Sequence, residues 1–313
     1  MLISDSAIRR SRKPLLTDEG LACILGEPLP SNPARYCSQN CPAMPEFIRT
    51  VRCEEPLRAA VFDFDGTLSL IRSGWVEIMV DLMMNVLQPL PGTSESEDDL
   101  QAYVTDFILN LNGRPTIYQM DYLVREASQR GGAPETAAAY TQQFLDLLSN
   151  KAQQRIAGLL SGELSPDDLL VPGSRALLND LVSRGVKLTL ASGTAEVNVR
   201  QEAALLKIDH YFEGRIHGPG EDPRQFSKLS VMQQMLASKG YRGAELIGFG
   251  DGFVEIESVK QLGGIAVGCA TDEEHRSGHV EEWKRTRLIQ AGADVIVPDY
   301  LNWPRLAAQL FAA

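Results

Sequence analysis

The sequence has little positive charge for its length and no long apolar run. Its 313 residues include 30 Lys and Arg against 41 Asp and Glu, which gives a formal net charge of -11. This balance disfavours broad electrostatic attraction to nucleic acid or to an anionic membrane surface. No window approaches the roughly 18 uninterrupted apolar residues of a membrane-spanning helix. We therefore expect neither nucleic acid nor a membrane as a partner, and any anionic ligand must be bound by local groups.

Targeting signals and cysteine pairs are also scarce. The opening residues, MLISDSAIRRSRKP, hold basic groups but no apolar segment of a secretory type, so we expect a cytoplasmic protein. No C-x-x-C pair occurs, and four of the five cysteines fall within the first 53 residues: Cys23, Cys37, Cys41 and Cys53. This spacing favours ordinary reduced thiols, with a structural zinc site as the less favoured alternative. A disulfide framework is not expected in a chain without a secretory signal.

Short apolar runs, by contrast, recur from Leu57 onward and alternate with helical patterns. Five of them have the length and composition of strands that are buried on both faces: LRAAVFDFD, VKLTLAS, AELIGFGD, GGIAVG and ADVIVPD. The intervening segments have helical periodicity, and several end in glycine, as helix C-termini prefer. Alternation of this kind predicts an α/β fold with a parallel sheet covered by helices on both sides.

Two stretches depart from this alternation. Residues 1–56 are rich in proline and show no sustained period, which predicts an irregular N-terminal extension. Residues 71–170 contain no convincing strand and carry amphipathic helical patterns such as GWVEIMVDLMMNVLQ. We therefore expect a helical domain inserted after the first strand of a core that comprises residues 57–70 and 171–313.

Acidic side chains follow two of the predicted strands. In an open parallel sheet, ligands bind beyond the carboxyl ends of the strands, so these side chains are expected to converge. The oxygen-rich set suits Mg²⁺, which prefers a few carboxylates together with water and substrate phosphate: Asp63, Asp65, Asp251 and Glu255. With the repulsion between the carboxylates neutralised, one of them could attack phosphorus and another could move a proton.

Groups that could hold a phosphoryl group occur near the other strand ends. Gly66 allows the chain to turn and to present backbone N–H groups. Ser192, Gly193 and Thr194 offer a hydroxyl group and N–H donors at a strand-to-helix junction, where an anion is favoured. Lys228, at the start of a predicted helix, could neutralise charge on a transferring phosphoryl group.

Taken in order, four stretches of the chain resemble the four motifs of the haloacid dehalogenase superfamily: DFDGT at 63–67, ASGT at 191–194, Lys228, and GDGFVE at 250–255. The resemblance covers the chain from about Leu57 to its end. It implies a Rossmann-like core, and the helical insertion is similar to the cap domain of the phosphoglycolate phosphatase and β-phosphoglucomutase branch. Glu255 departs mildly from the pattern, because many relatives carry a second aspartate there.

The resemblance also implies roles for individual residues. Asp63 would be the nucleophile and Asp65 the general acid and base. Mg²⁺ would be held by the Asp63 side chain, the Asp65 carbonyl and Asp251, with Glu255 reaching it through water. Ser192 and Lys228 would hold the phosphoryl group and Thr67 would support the loop.

These expectations point to a Mg²⁺-dependent phosphatase that acts on a small phosphorylated metabolite, such as a sugar phosphate. Within the insertion, Arg114 is a candidate for contact with the leaving group, with a surface charge as the alternative. A phosphomutase of the β-phosphoglucomutase type and a non-catalytic regulatory module remain open, and the sequence does not predict the oligomeric state. The segment DEEHRSGHVEEWKR, residues 272–285, is expected to be a solvated loop and helix start anchored by Trp283.

Overall fold

The computed structural model describes residues 44–51, 55–111, 116–220 and 226–311. Within these ranges the chain forms seven strands: β1 (Glu46–Phe47), β2 (Ala59–Phe62), β3 (Lys187–Ala191), β4 (Ile216–His217), β5 (Leu246–Gly250), β6 (Ile265–Cys269) and β7 (Val295–Val297). The helices before β3 are α1 (Trp75–Leu87), α2 (Glu97–Asn110), α3 (Ile117–Gln129), α4 (Ala137–Ser161) and α5 (Ser174–Ser183). The helices after β3 are α6 (Glu196–Leu205), α7 (Lys228–Lys239), α8 (Phe253–Gln261), α9 (Glu282–Ala291) and α10 (Trp303–Leu310).

The strands form one sheet in the order β1-β7-β6-β5-β2-β3-β4. Every neighbouring pair is parallel except β1 and β7, which are antiparallel. The predicted α/β class with a parallel, Rossmann-like sheet is therefore confirmed. The antiparallel edge strand lies in a segment for which the sequence indicated only irregular structure, because two residues are too short a run for a periodic pattern.

Strand β2 lies between β5 and β3, so its carboxyl end is near the middle of the sheet edge. Ala59 is in register with both Lys187 of β3 and Leu246 of β5. All four residues of β2 are buried, as expected for a strand with helices on both faces. This position places the side chains that follow β2 between those that follow β3 and β5.

Buried apolar residues fill both faces of the sheet. On one face, the rings of Phe62 and Phe249 stack with their centroids 4.5 Å apart, and Phe62 meets Phe212 edge to face. On the other face, Met232 of α7 and Ile256 of α8 belong to a separate apolar cluster. Burial of these side chains stabilises the sheet and holds the strand ends in place.

Helices α1 to α4 lie between β2 and β3 in the chain and share an apolar cluster of their own, which includes Met79, Met83, Leu100 and Leu123. The last of these helices, α4, is 25 residues long. Near its end, the Arg155 guanidinium donates to the carbonyls of Leu70, Ile71 and Ser73, at 3.1, 2.9 and 2.8 Å respectively. These bonds attach α4 to the chain that leaves β2. No helix in the described part of the chain is long and apolar enough to cross a membrane.

Candidate active site

Asp63 directly follows β2, and only 9% of the residue is exposed. Its backbone N–H donates to the Phe249 carbonyl at 2.9 Å, which continues the β2–β5 ladder. The Oδ1 atom accepts a hydrogen bond from the Phe64 N–H at 2.7 Å and lies 2.8 Å from Nζ of Lys228. Among the described residues, Oδ2 has no hydrogen-bond partner. One oxygen is thus fixed in place and the other is available to a ligand.

The chain turns sharply after Asp65. Gly66 has a φ of 71°, in the left-handed region, and its N–H donates to the Ser69 carbonyl at 2.9 Å. A Cβ at this position would overlap the carboxylate of Asp251, so the turn and the close approach both require glycine. Thr67 is fully buried and its carbonyl accepts a hydrogen bond from the Tyr300 hydroxyl at 3.0 Å, but its own hydroxyl has no partner among the described residues.

The loop after β3 holds the second aspartate. The Thr194 hydroxyl donates to Oδ2 of Asp65 at 2.7 Å, and the Thr194 N–H donates to the Ser192 hydroxyl at 3.0 Å. Ser192 is buried, and its N–H donates to the His217 carbonyl. Gly193 faces open space. The Thr194 hydroxyl therefore positions Asp65, and the contact of Thr194 with phosphate stays a prediction.

Lys228 is the first residue of α7, which begins after the N-cap Ser227. Its ammonium group lies between the carboxylates of Asp63 and Glu255. Glu255 is buried in the first turn of α8 and is paired with Lys228 here. The lysine thus lies beside the candidate nucleophile, as expected, and the glutamate holds the lysine.

A second buried lysine lies beside Asp251, which follows β5. Nζ of Lys284 is 3.2 Å from Oδ2 of Asp251 and also contacts Glu273. Only 3% of Lys284 is exposed, so the expectation that residues 272–285 are solvated is wrong for this residue. Lys284 precedes the buried Leu288 by four residues, which places both on the inner face of α9. That spacing is the signal in the sequence that could have identified it.

A third cation lies near Asp65. The Arg72 guanidinium donates to Oε1 of Glu202 at 2.5 Å, and its Nε is 3.8 Å from Oδ1 of Asp65. Glu202 lies on the inner face of α6 with Val199 and Ala203, so a charged residue interrupts an apolar stripe. The sequence reasoning missed both residues, and this interruption was the available signal.

Each of the three aspartates therefore has a cation beside it, and each cation is shared with a buried or partly buried glutamate. Burial raises the pKa of Asp63, against the opposing effect of Lys228. Burial also raises the pKa of Asp65 to about 6, although the hydrogen bond from Thr194 lowers it. The pKa of Asp251 is raised by burial to about 6, with Lys284 acting in the opposite direction. The lysines remain charged, because the carboxylates beside Lys228 and Lys284 outweigh the effect of burial and raise their pKa values.

The donor set is chemically suited to Mg²⁺. Asp63, which is buried, and Asp251, which is partly buried, follow two neighbouring strands, and Oδ1 of Asp65 is buried without a hydrogen-bond partner among the described residues. An oxygen-rich group with an unsatisfied acceptor fits a hard cation. In the described part of the chain, no three acidic, His or Cys side chains are already arranged around one point. The Asp251 and Glu255 carboxylates are paired with lysines instead, so the predicted metal ligands stay predictions. Arg114, the candidate for contact with the leaving group, lies outside the described residues.

A family model for haloacid dehalogenase-like hydrolases matches residues 57–263, which is more than half of the chain. The chain belongs to this family. The resemblance noted in the four motifs is thereby confirmed, as is the expectation that the protein is a hydrolase. A search of curated proteins found no match.

Solved structures agree with this assignment at the level of the fold. A conserved haloacid dehalogenase-like protein of unknown function from Agrobacterium tumefaciens is 16% identical, with a TM-score of 0.55, and the match covers 80% of this chain and 98% of that one. A HAD family hydrolase from Deinococcus radiodurans, with bound phosphate and sodium, is 15% identical, with a TM-score of 0.52 and coverage of 81% and 96%. A predicted phosphoglycolate phosphatase from Haemophilus somnus is 16% identical, with a TM-score of 0.51 and coverage of 81% and 99%.

Proposed function

We propose that this protein is a Mg²⁺-dependent phosphatase that hydrolyses a small phosphorylated metabolite, such as a sugar phosphate, through an aspartyl-phosphate intermediate. The observation that carries the proposal is the state of Asp63: Oδ1 is held by Lys228 and the Phe64 N–H, while Oδ2 has no partner among the described residues. A buried carboxylate with one free oxygen is prepared for nucleophilic attack. The family assignment and the phosphate bound to the Deinococcus radiodurans relative support a phosphoric monoester as the substrate.

In the first step, Oδ2 of Asp63 would attack phosphorus, and the bond between phosphorus and the leaving oxygen would break. Asp65 would give its proton to that oxygen as the general acid. Its pKa of about 6 leaves part of the population protonated near neutral pH, and the Thr194 hydroxyl orients the carboxyl group. The product alcohol would then leave, and Asp63 would carry the phosphoryl group.

In the second step, Asp65 would take a proton from a water molecule that attacks phosphorus. Inorganic phosphate would be released and the Asp63 carboxylate restored. Lys228 would stabilise charge on the phosphoryl group, and Ser192 would bind one of its oxygens. Mg²⁺, held by the side chains of Asp63 and Asp251 and the backbone carbonyl of Asp65, would supply positive charge that lowers the repulsion between the carboxylates and a phosphate dianion.

The helices α1 to α4 support a further part of the proposal. They have an apolar cluster of their own, and Arg155 attaches them to the chain that leaves β2. We assign residues 71–170 to a cap that closes over the core and recognises the leaving group.

The test is phosphate release from sugar phosphates, phosphoglycolate, nucleotides and an aryl phosphate, with Mg²⁺ or EDTA, by the wild type and Asp63→Asn. We expect metal-dependent release that Asp63→Asn abolishes, because the substitution removes the nucleophile and almost no volume. Unchanged release in Asp63→Asn would contradict the aspartyl-phosphate mechanism. Release from no ester in the panel would contradict the phosphatase assignment, and an isomerisation assay with a bisphosphate activator would then test the phosphomutase alternative.

A further inference from the structure

A cleft of about 180 Å³ opens beside Asp63 and Asp251. The residues that line it include Phe253 from the start of α8 and both Trp283 and Arg287 from the first two turns of α9. The candidate nucleophile and Arg287 thus line the same small space. A ligand that reached Asp63 would have room for a second group on the Arg287 side.

Arg287 differs from the other cations around the site. Its guanidinium lies over the ring of Phe253, 5.6 Å from the centroid, and it has no ion pair or hydrogen bond with any described residue. By contrast, Lys228 and Lys284 each bridge two carboxylates. Arg285, two residues earlier, pairs with Glu46 and Glu282. The partly buried charge of Arg287 is therefore uncompensated among the described residues.

Among the described residues that line the cleft, Arg287 is the cation that no carboxylate neutralises. The carboxylates that line it already have lysine partners: Asp63, Asp251 and Glu255. Burial lowers the pKa of Arg287, with no carboxylate acting in the opposite direction. The cation–π contact with Phe253 places the guanidinium in the cleft, and its planar fork matches a carboxylate or phosphate with two parallel hydrogen bonds. A partly buried cation without a carboxylate partner loses some of its hydration, and an anionic ligand that binds beside it restores favourable contacts.

We propose that Arg287 binds a second anionic group of the substrate, a carboxylate or a second phosphate, while the ester phosphate lies at Asp63. The inference rests on the proposed phosphatase function and narrows its substrate class to phosphomonoesters that carry another anion. Arg287 is a specificity-determining residue in this assignment, and it takes no part in bond breaking.

The test compares substrates that differ only in the second anion. One pair is 3-phosphoglycerate and glycerol 3-phosphate, and the other is propane-1,3-diol bisphosphate and its monophosphate. The two pairs distinguish a carboxylate from a phosphate as the preferred group. We expect the wild type to prefer at least one anionic member by about tenfold or more in kcat/KM, the range of a charge-assisted hydrogen bond.

Variants assign this preference to Arg287. In Arg287→Gln we expect the ratio of kcat/KM between the two members of a pair to fall to about one, mainly because KM rises for the member with the second anion. Arg287→Lys should keep part of the preference, because it retains the charge without the planar fork. Arg285→Gln is the matched control: it removes a guanidinium from the same helix, and the ratio should stay at the wild-type value.

Two outcomes would overturn the inference while leaving the phosphatase proposal intact. One is hydrolysis of all four esters in which the ratio of kcat/KM between the two members of each pair is the same in the wild type and in Arg287→Gln. The other is an equal fall for all four esters in Arg287→Gln, which would place the guanidinium on the transferring phosphoryl group. If none of the esters is hydrolysed, the phosphatase proposal itself is contradicted for this panel. The subsite is then judged by calorimetric titration of 3-phosphoglycerate and glycerol 3-phosphate into Asp63→Asn, alone and combined with Arg287→Gln. The proposed subsite would be rejected if 3-phosphoglycerate bound with equal affinity to Asp63→Asn and to the double variant.

Discussion

Asp65 and Asp251 lie on the two sides of Asp63, and each has a cation and a glutamate beside it, but the contacts differ. On the β3 side, Arg72 lies between Asp65 and Glu202, and on the β5 side, Lys284 lies between Asp251 and Glu273. Arg72 binds its glutamate closely and stays 3.8 Å from Asp65, whereas Lys284 lies 3.2 Å from Asp251 and contacts Glu273 as well. Asp65 receives its hydrogen bond from a neutral hydroxyl group, that of Thr194.

This difference suits two different tasks. A carboxyl group that transfers a proton must be able to hold one, so a distant cation and a neutral donor are appropriate beside Asp65. A carboxylate that binds a metal must stay ionised, so a cation in direct contact is appropriate beside Asp251. The contrast lies in the contacts, since Asp65 has a neutral hydroxyl group and Asp251 a cation in direct contact. Burial raises the pKa of both carboxyl groups to about 6, so the bound Mg²⁺ would supply the rest of the charge that keeps Asp251 ionised.

The largest expected effect comes from replacing the proposed acid. Asp65→Asn should lower kcat by about 10²- to 10⁴-fold for esters with poor leaving groups, the usual range for general acid and base catalysis. The loss should be smaller for an aryl phosphate, whose leaving oxygen needs less protonation. Steady-state assays across a series of leaving groups measure this. Full activity on alkyl phosphates in Asp65→Asn would show that the β3 side has no role in proton transfer.

The next largest expected effect is the loss of stability when the cation beside Asp251 is removed. In EDTA, Lys284→Met should lower the free energy of unfolding by about 3 kcal/mol, because it leaves two carboxylates without their buried partner. Millimolar Mg²⁺ should recover part of this loss, since it supplies positive charge beside Asp251. The gain on adding Mg²⁺ should therefore be larger in Lys284→Met than in the wild type. Urea unfolding with and without Mg²⁺ measures both quantities.

Arg72→Met is the matched variant for that measurement. It should also destabilise the protein, because Glu202 is buried and loses its partner. Its response to Mg²⁺ should equal that of the wild type, since the cation that it removes is bound to the glutamate on the β3 side. If Mg²⁺ raised the free energy of unfolding less in Lys284→Met than in Arg72→Met, Lys284 would mainly position Asp251 for the metal.

The smallest expected effect is on the pH dependence of stability in EDTA. The pKa of Asp65 is raised to about 6 in the native state, so the native state binds this proton more tightly than the unfolded chain. The protonated Asp65 carboxyl group therefore contributes favourably to the free energy of unfolding, and this contribution is lost as pH rises from about 4 through about 6. Asp65→Asn mimics the protonated form. It should therefore unfold with the same free energy as the wild type near pH 4 and be more stable near pH 7.5.

The difference at pH 7.5 should be about 1 to 2 kcal/mol, which allows for the partial exposure of the side chain. Urea unfolding of both proteins at the two pH values measures it. A constant difference between pH 4 and pH 7.5 would show that Asp65 does not titrate in this range in the metal-free protein.

The sequence predicted the residues of the candidate site that lie in compact motifs. Asp63 and Asp65 follow a short apolar run that predicts a buried strand, and Gly66 occupies a turn whose φ of 71° favours glycine. Lys228 begins a helix with Ser227 as its cap, a pattern that is visible in the chain itself. These features depend on local spacing, so a single sequence contains them.

The supporting residues were not predictable in the same way. Arg72 and Glu202 are 130 residues apart, and Lys284 contacts Asp251 across 33 residues. Each looked like an ordinary charged residue, because charged side chains are mostly solvated and the local sequence marks the exceptions only weakly. Only the slight clues of a glutamate or lysine on the inner face of a helix distinguished Glu202 and Lys284.

The sequence by itself determined the alternation of strands and helices, the turn after β2 and the identity of the acidic and basic groups in the four motifs. These follow from backbone geometry and from the separation of apolar and polar residues at periods of 2 and 3.6. The tertiary structure decided which cation lies beside which aspartate, and it placed Arg287, which has no carboxylate partner among the described residues, in the cleft that Asp63 also lines. Electrostatic interactions depend on distance and burial, and both are set only when strands and helices that are remote in the chain pack together.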